Sequence, residues 1–170
     1  MRKALAFLLT VFAGGVTASD HADHLHPLKL VNEANFSYIL WKVYDIALFA
    51  ESGKFDHEPP FALRLTYLRK VSGTSIADRS SKLIREQGVE DEIRIAGWHS
   101  QMDAIFPDVE EGDTLSGLYT ENKETVFFYN GEPIGRIKDP LFGQYFFGIW
   151  LGEDTAEPSL RAQLIGSSGA

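Results

Sequence analysis

The stretch that decides the fold is residues 36–50, FSYILWKVYDIALFA. Aromatic and β-branched side chains occupy both alternating faces of this stretch, a pattern typical of a strand that is covered on both sides. Residues 51–54, ESGK, follow as a turn. A buried helix is the competing interpretation, but the composition and the turn favour one long strand, or one strand with a bulge.

Apolar periodicity in the rest of the chain predicts strands and helices in alternating groups. Asn130-Gly131 is the strongest two-residue hairpin signal in the sequence. Strands, then helices, then strands, then helices predict an α+β fold, a mainly antiparallel sheet with helices gathered on one face. The expected elements are strands over residues 27–31 and 61–71, helices over 72–88 and 90–106, a three-stranded meander from Asp113 with turns at 122–123 and 130–131, and helices over 141–151 and 157–165.

The first 18 residues predict an export signal. Arg2 and Lys3 form a short basic region, an apolar run follows, and small residues close it. The run is shorter than the about 20 residues needed to span a bilayer. We therefore expect an exported protein, periplasmic or secreted, without a transmembrane segment after cleavage. The expected organisation is a signal peptide over 1–18, a flexible His-rich segment over 19–27, one folded domain over 28–166 and a disordered tail over 167–170.

Composition excludes several classes of function. The chain carries 24 Asp plus Glu against 16 Lys plus Arg, a formal net charge of -8, and loss of Arg2 and Lys3 with the signal makes it -10. Without a basic stripe to meet phosphates, we expect no nucleic-acid partner. The absence of cysteine excludes disulfides, thiolate metal sites and a cysteine nucleophile. No cofactor-binding motif stands out, so we expect no cofactor.

Three histidines follow the expected cleavage site: His21, His24 and His26. If cleavage falls after Ala18, His21 becomes the third residue of the mature chain. Its imidazole, the free amine and two amide nitrogens can then enclose Cu(II) or Ni(II) in a square plane. The alternative is a solvated His-rich tail. These histidines are the candidate metal ligands of the chain.

Aromatic residues exceed what one small sheet must bury. They indicate either an aromatic core or a pocket for a flat or long apolar ligand between the sheet and the helices. The residues that carry this surplus are Phe36, Tyr38, Trp41, Tyr44, Tyr67, Phe142, Tyr145, Phe146 and Trp150.

Three motifs together resemble the bacterial exported branch of the chalcone isomerase-like proteins. They are KVYDIALFA at residues 42–50, FPDVEEG at 106–112 and IWLG at 149–152, in this order and with the Asn-Gly hairpin between the last two. The resemblance covers about residues 28–166. It implies an open-faced β-sandwich, a large antiparallel sheet backed by a layer of helices, with the ligand in a cleft between them.

The resemblance also implies what the cleft has lost. The family's enzymes hold a phenolate with a buried arginine, and the arginine position falls on Phe36 here, while a threonine position falls on Tyr44. A phenyl ring offers no positive charge for an oxyanion. Fatty-acid-binding relatives also use an arginine and a tyrosine, so Phe36 counts against a close copy of that function. The remaining family positions fall on Tyr67, Ile76, Leu83 and Ile149.

We therefore expect a non-catalytic domain that binds a small hydrophobic molecule, a lipid or an aromatic compound, in the cleft. Two alternatives remain. One is a structural or protein-interaction module whose cleft is filled, and the other is an isomerase or lyase with a non-standard site. The candidate ligand-binding residues are Phe36, Tyr44, Tyr67, Ile76, Leu83, Ile149 and Trp150.

Overall fold

A computed structural model of the protein describes residues 23–38 and 41–166. Within these residues a single sheet has six strands, each antiparallel to its neighbours and arranged in the order in which they occur along the chain. The strands are β1 (Lys29–Tyr38), β2 (Trp41–Ala50), β3 (Phe61–Tyr67), β4 (Thr114–Tyr119), β5 (Thr125–Tyr129) and β6 (Glu132–Ile137).

Two pairs of helices complete the domain. The first pair connects β3 to β4 and the second pair follows β6. The helices are α1 (Gly73–Glu86), α2 (Glu92–Ile105), α3 (Pro140–Leu151) and α4 (Pro158–Ile165). Their buried residues join the inward-facing residues of the strands in one large core. The α+β prediction is confirmed, because an antiparallel sheet is backed by a helical layer.

The stretch over residues 36–50 is not one strand, and that prediction is wrong. It contains the end of β1 and the whole of β2, which pair antiparallel with Phe36 opposite Tyr44 and Tyr38 opposite Trp41. Of the short strand predicted over residues 27–31, residues 29–31 belong to the ten-residue β1. Without a glycine or a proline between the two strands, periodicity alone does not separate a hairpin from one long strand.

The predicted turn at residues 130–131 and the predicted helix start at Asp139 are both present in the structure. Asn130 and Gly131 have φ angles of 49° and 88°, as a two-residue turn of type I′ requires, and they join β5 to β6. Asp139 caps α3 by accepting a hydrogen bond from the backbone N–H of Leu141. The other oxygen of the same carboxylate accepts from the indole N–H of Trp98, which ties α2 to the start of α3.

The opposite face of the sheet carries a smaller cluster. A short 3-10 turn, Asp23–Leu25, precedes β1, and Leu25 packs there with Phe49 and Ala62. This turn falls within the segment predicted to be flexible, and Leu25 is buried. The predicted signal peptide over 1–18, His21, and the predicted tail over 167–170 lie outside the described residues.

Candidate functional site

A cavity of about 380 Å³ lies between the sheet and the helices. Strands β1 to β5 supply one wall, and α1, α3 and the residues just before α4 supply the other. The structure brings all seven predicted ligand-binding residues to this one cavity: Phe36, Tyr44, Tyr67, Ile76, Leu83, Ile149 and Trp150. That they bind a ligand remains a prediction.

Three aromatic rings cross the first three strands side by side. Phe36 lies opposite Tyr44, and Tyr44 lies opposite Tyr67. The ring centroids of Phe36 and Tyr44 are 4.9 Å apart and stacked, whereas those of Tyr44 and Tyr67 are 5.8 Å apart and edge to face. Such cross-strand pairs stabilise a sheet, and here they also form one apolar surface of the cavity.

The two tyrosine hydroxyls differ in their partners. The Tyr44 oxygen accepts a hydrogen bond of 3.0 Å from the indole Nε1–H of Trp150, so it ties α3 to the sheet. Tyr67 is only 3% exposed, and its hydroxyl has no hydrogen-bond partner among the described residues. One hydroxyl therefore has a structural role, while the hydrogen-bonding capacity of the other is unused.

Both phenols remain protonated at neutral pH. Burial raises the pKa of Tyr44 to about 12, an effect that the hydrogen bond from Trp150 and the charge of Arg79 partly oppose. Burial, and to a lesser extent the neighbouring Tyr44, raises the pKa of Tyr67 above its ordinary value. These side chains are therefore hydrogen-bond donors in the cavity and are poor bases.

Arg79 also lines the cavity, although it is not among the residues predicted from the sequence. Arg79 lies on α1 between Ile76 and Leu83, at the spacing that places residues on one face of a helix. This spacing is a signal that could have identified it. Arg79 is exposed and has no ion pair with a carboxylate in the part of the chain that the structure describes.

The exposed members of the lining mark where the cavity opens, and we call them the mouth. They are Tyr38, Ser75, Arg79, Ala156 and Glu157. An arginine and a glutamate at the mouth contrast with an interior made mostly of apolar side chains. This arrangement suits a molecule whose body is apolar and whose polar end lies near solvent.

The candidate metal ligands do not meet in the described structure. The ring of His24 packs 4.7 Å from that of Phe128, and His26 is exposed. Among residues 23–38 and 41–166 no group of three metal-binding side chains is present. The copper or nickel site depends on His21, which is not described, and it remains a prediction.

Comparisons with known proteins agree with this geometry. The sequence matches the chalcone isomerase-like family over residues 14–166. No curated protein matches it. Among solved structures, a fatty-acid binding protein of Arabidopsis thaliana is similar in fold, with a TM-score of 0.63 and 12% identity, over 81% of this chain and 86% of that one. The match over nearly the whole domain shows that this chain belongs to the chalcone isomerase-like family.

Proposed function

We propose that the protein is an exported, non-catalytic binding protein that holds one small hydrophobic molecule in the cavity between sheet and helices. The observation that carries this proposal is the open cavity of about 380 Å³ with its apolar, aromatic walls. Its volume lies within the range of about 300–1,000 Å³ that is typical of small-molecule sites. The fatty-acid binding protein of similar fold supports the same class of function.

The chemistry of the interior favours binding over catalysis. Phe36 places a neutral ring where the resemblance implies an arginine, and Tyr44 and Tyr67 are held protonated by burial. Neither tyrosine acts as a base near neutral pH, because efficient general bases have pKa values near the working pH. The third reading from the sequence, an isomerase or lyase with a non-standard site, finds no such base among these residues.

The cavity also argues against the reading in which the domain has filled its own cleft. Phe36, Tyr44 and Trp150 are large, yet they line open space and do not occupy it. A ligand with a hydrogen-bond-accepting oxygen would use the unpartnered hydroxyl of Tyr67. We therefore favour apolar molecules that carry one carbonyl, carboxyl or ether oxygen.

The first test is extraction. The protein is purified from an exporting host, extracted with organic solvent, and the extract is identified by mass spectrometry. A panel of fatty acids and flavonoids is then screened by melting temperature. At a ligand concentration one hundred times Kd, binding stabilises the fold by about 2.7 kcal/mol, which corresponds to about 5–10 °C in Tm.

A matched pair of variants locates the binding. Leu83→Trp places a larger side chain in the cavity from α1 and should reduce the shift in Tm to about half or less, since a tenfold weaker ligand stabilises the fold by only about 1.4 kcal/mol at the same concentration. Ile93→Trp introduces the same side chain on α2 at a position that is 88% exposed, and it should leave the shift unchanged. An empty extract with no shift across the panel would refute binding. The intact mass of the protein from the exporting host tests export. We expect the mass of a chain that begins at Ser19, and the mass of the unprocessed chain would contradict export.

A further inference from the structure

An aromatic surface lies at the hairpin end of the sheet, next to the mouth. Tyr38 ends β1 and Trp41 begins β2, and the two side chains are 58% and 66% exposed. They are paired directly opposite each other, so both emerge from the same face of the sheet. Exposed tryptophan and tyrosine side chains side by side are unusual, because large aromatic residues are mostly buried in soluble domains.

Cations accompany these rings. The guanidinium of Arg69 lies 5.7 Å from the ring centre of Trp41. Lys42 is also exposed at this end of the sheet, but as the next residue of β2 it lies on the face opposite to Trp41. Neither cation forms an ion pair with a carboxylate in the described ranges, 23–38 and 41–166. Lys70 is different, since Glu110 neutralises it at 2.8 Å. We call Tyr38, Trp41, Lys42 and Arg69 the tip patch.

We propose that the tip patch docks on the surface of an anionic lipid bilayer. Tryptophan and tyrosine are the side chains that concentrate at membrane–water interfaces, where their rings lie among the headgroups. Lysine and arginine beside them are attracted to anionic lipids. The free charges of Lys42 and Arg69 favour such a surface over an uncharged apolar partner.

The negative charge of the rest of the chain does not oppose this docking. The formal net charge is -8, but charges on the remote parts of the domain are screened beyond a Debye length of about 10 Å at 0.1 M salt. The bilayer therefore responds mainly to the charges that touch it. At this end of the domain the named charges are Lys42 and Arg69 in the tip patch and Arg79 and Glu157 at the mouth, which are three cations and one carboxylate.

The tip patch lies next to the mouth of the cavity, so docking would bring the cavity to the membrane. Tyr38 belongs both to the tip patch and to the mouth, so docking places the opening of the cavity against the membrane. An apolar molecule could then enter or leave without crossing water, which avoids the cost of exposing its apolar surface. This inference goes beyond the proposed function, and vesicle binding is measured without any cavity ligand, so either one can fail alone.

The test is co-sedimentation of the protein with vesicles of phosphatidylcholine alone or mixed with phosphatidylglycerol. The protein should bind the anionic vesicles, and added salt should weaken the binding. Arg69→Glu should reduce binding about fivefold or more, since one basic residue near an anionic surface is worth about this factor. Trp41→Ala should also reduce binding, because it removes the ring that lies among the headgroups. Circular dichroism confirms that each variant is folded.

Two control variants lie away from the tip patch. Ile93→Ala removes a side chain that is more exposed than Trp41, and Lys123→Glu reverses a charge in the turn between β4 and β5. Both should bind like the unmodified protein. Equal binding to both kinds of vesicle, or undiminished binding by Trp41→Ala, would overturn the proposal. Self-association that depends on Trp41, without vesicle binding, would overturn it too and would identify the patch as a protein contact.

Discussion

The substitutions Tyr67→Phe and Tyr44→Phe remove the same atom from adjacent rings, yet only Tyr44→Phe should destabilise the protein. The Tyr67 hydroxyl has no hydrogen-bond partner among the described residues, so its removal breaks no bond. The Tyr44 oxygen accepts from the indole N–H of Trp150, and its removal leaves that buried donor unpaired. Because both rings are largely buried, the two variants should differ in stability only through the hydrogen-bond partners of the hydroxyls that they remove.

The magnitudes follow from hydrogen-bond energetics. An unpaired buried donor costs about 1–3 kcal/mol, so Tyr44→Phe should lower the free energy of unfolding by that amount. Tyr67→Phe relieves the burial of a polar group and should be neutral or stabilising by up to about 1 kcal/mol. In a domain of this size each kcal/mol moves Tm by about 2–4 °C.

Urea denaturation followed by circular dichroism measures both changes. Ligand binding provides a second readout, because Tyr67→Phe should weaken an oxygen-bearing ligand about fivefold by removing one hydrogen bond. A variant that is more stable yet binds less well is the expected signature of a polar group kept for function. The reasoning is refuted if Tyr67→Phe destabilises the protein as much as Tyr44→Phe does.

Two further predictions concern pH and packing. Because burial raises the pKa of Tyr44 from 10.0 to about 12, the folded protein holds this proton more tightly than the unfolded chain does. The contribution of Tyr44 to the free energy of unfolding should therefore be constant below about pH 10 and fall as the pH rises towards about 12. Tyr44→Phe should make the fall in stability over this range less steep in urea denaturation, and an equally steep fall would contradict the prediction. Gly143→Ala should cost about 1–3 kcal/mol, because its Cβ would lie 2.3 Å from the Tyr119 ring. Gly97→Ala, where a Cβ meets nothing within 4 Å, should stabilise α2 by about 0.5–1 kcal/mol, and equal effects of the two in urea unfolding would contradict this reasoning.

Short-range signals in the sequence predicted local structure well. Asn130-Gly131 specifies its turn because both residues tolerate positive φ, and Asp139 specifies the start of α3 because its side chain satisfies a free backbone N–H. The same kind of signal is missing at the β1–β2 connection. Residues 39 and 40 are isoleucine and leucine, which continue the strand pattern, so the hairpin was predicted as one strand.

The cavity required information that a single sequence does not contain. Six of its seven predicted residues came from a family resemblance and Trp150 came from the surplus of aromatic residues. Periodicity identifies buried faces without showing where the packing leaves space. Arg79 was missed because an arginine on an amphipathic helix is usually a solvated residue. Trp150 was predicted as a pocket residue, but its hydrogen bond to Tyr44 depends on how α3 lies on the sheet, over a separation of 106 residues.

Calorimetric titration with lauric acid, and with the tightest ligand from the panel, tests cavity binding most directly. We predict one molecule bound per chain, with a negative change in heat capacity from burial of apolar surface. Leu83→Trp, which narrows the cavity, should weaken binding at least about tenfold, while Ile93→Trp should bind like the unmodified protein. No heat of binding with any ligand, or equal binding by the protein and both variants, would contradict a ligand site between the sheet and the helices.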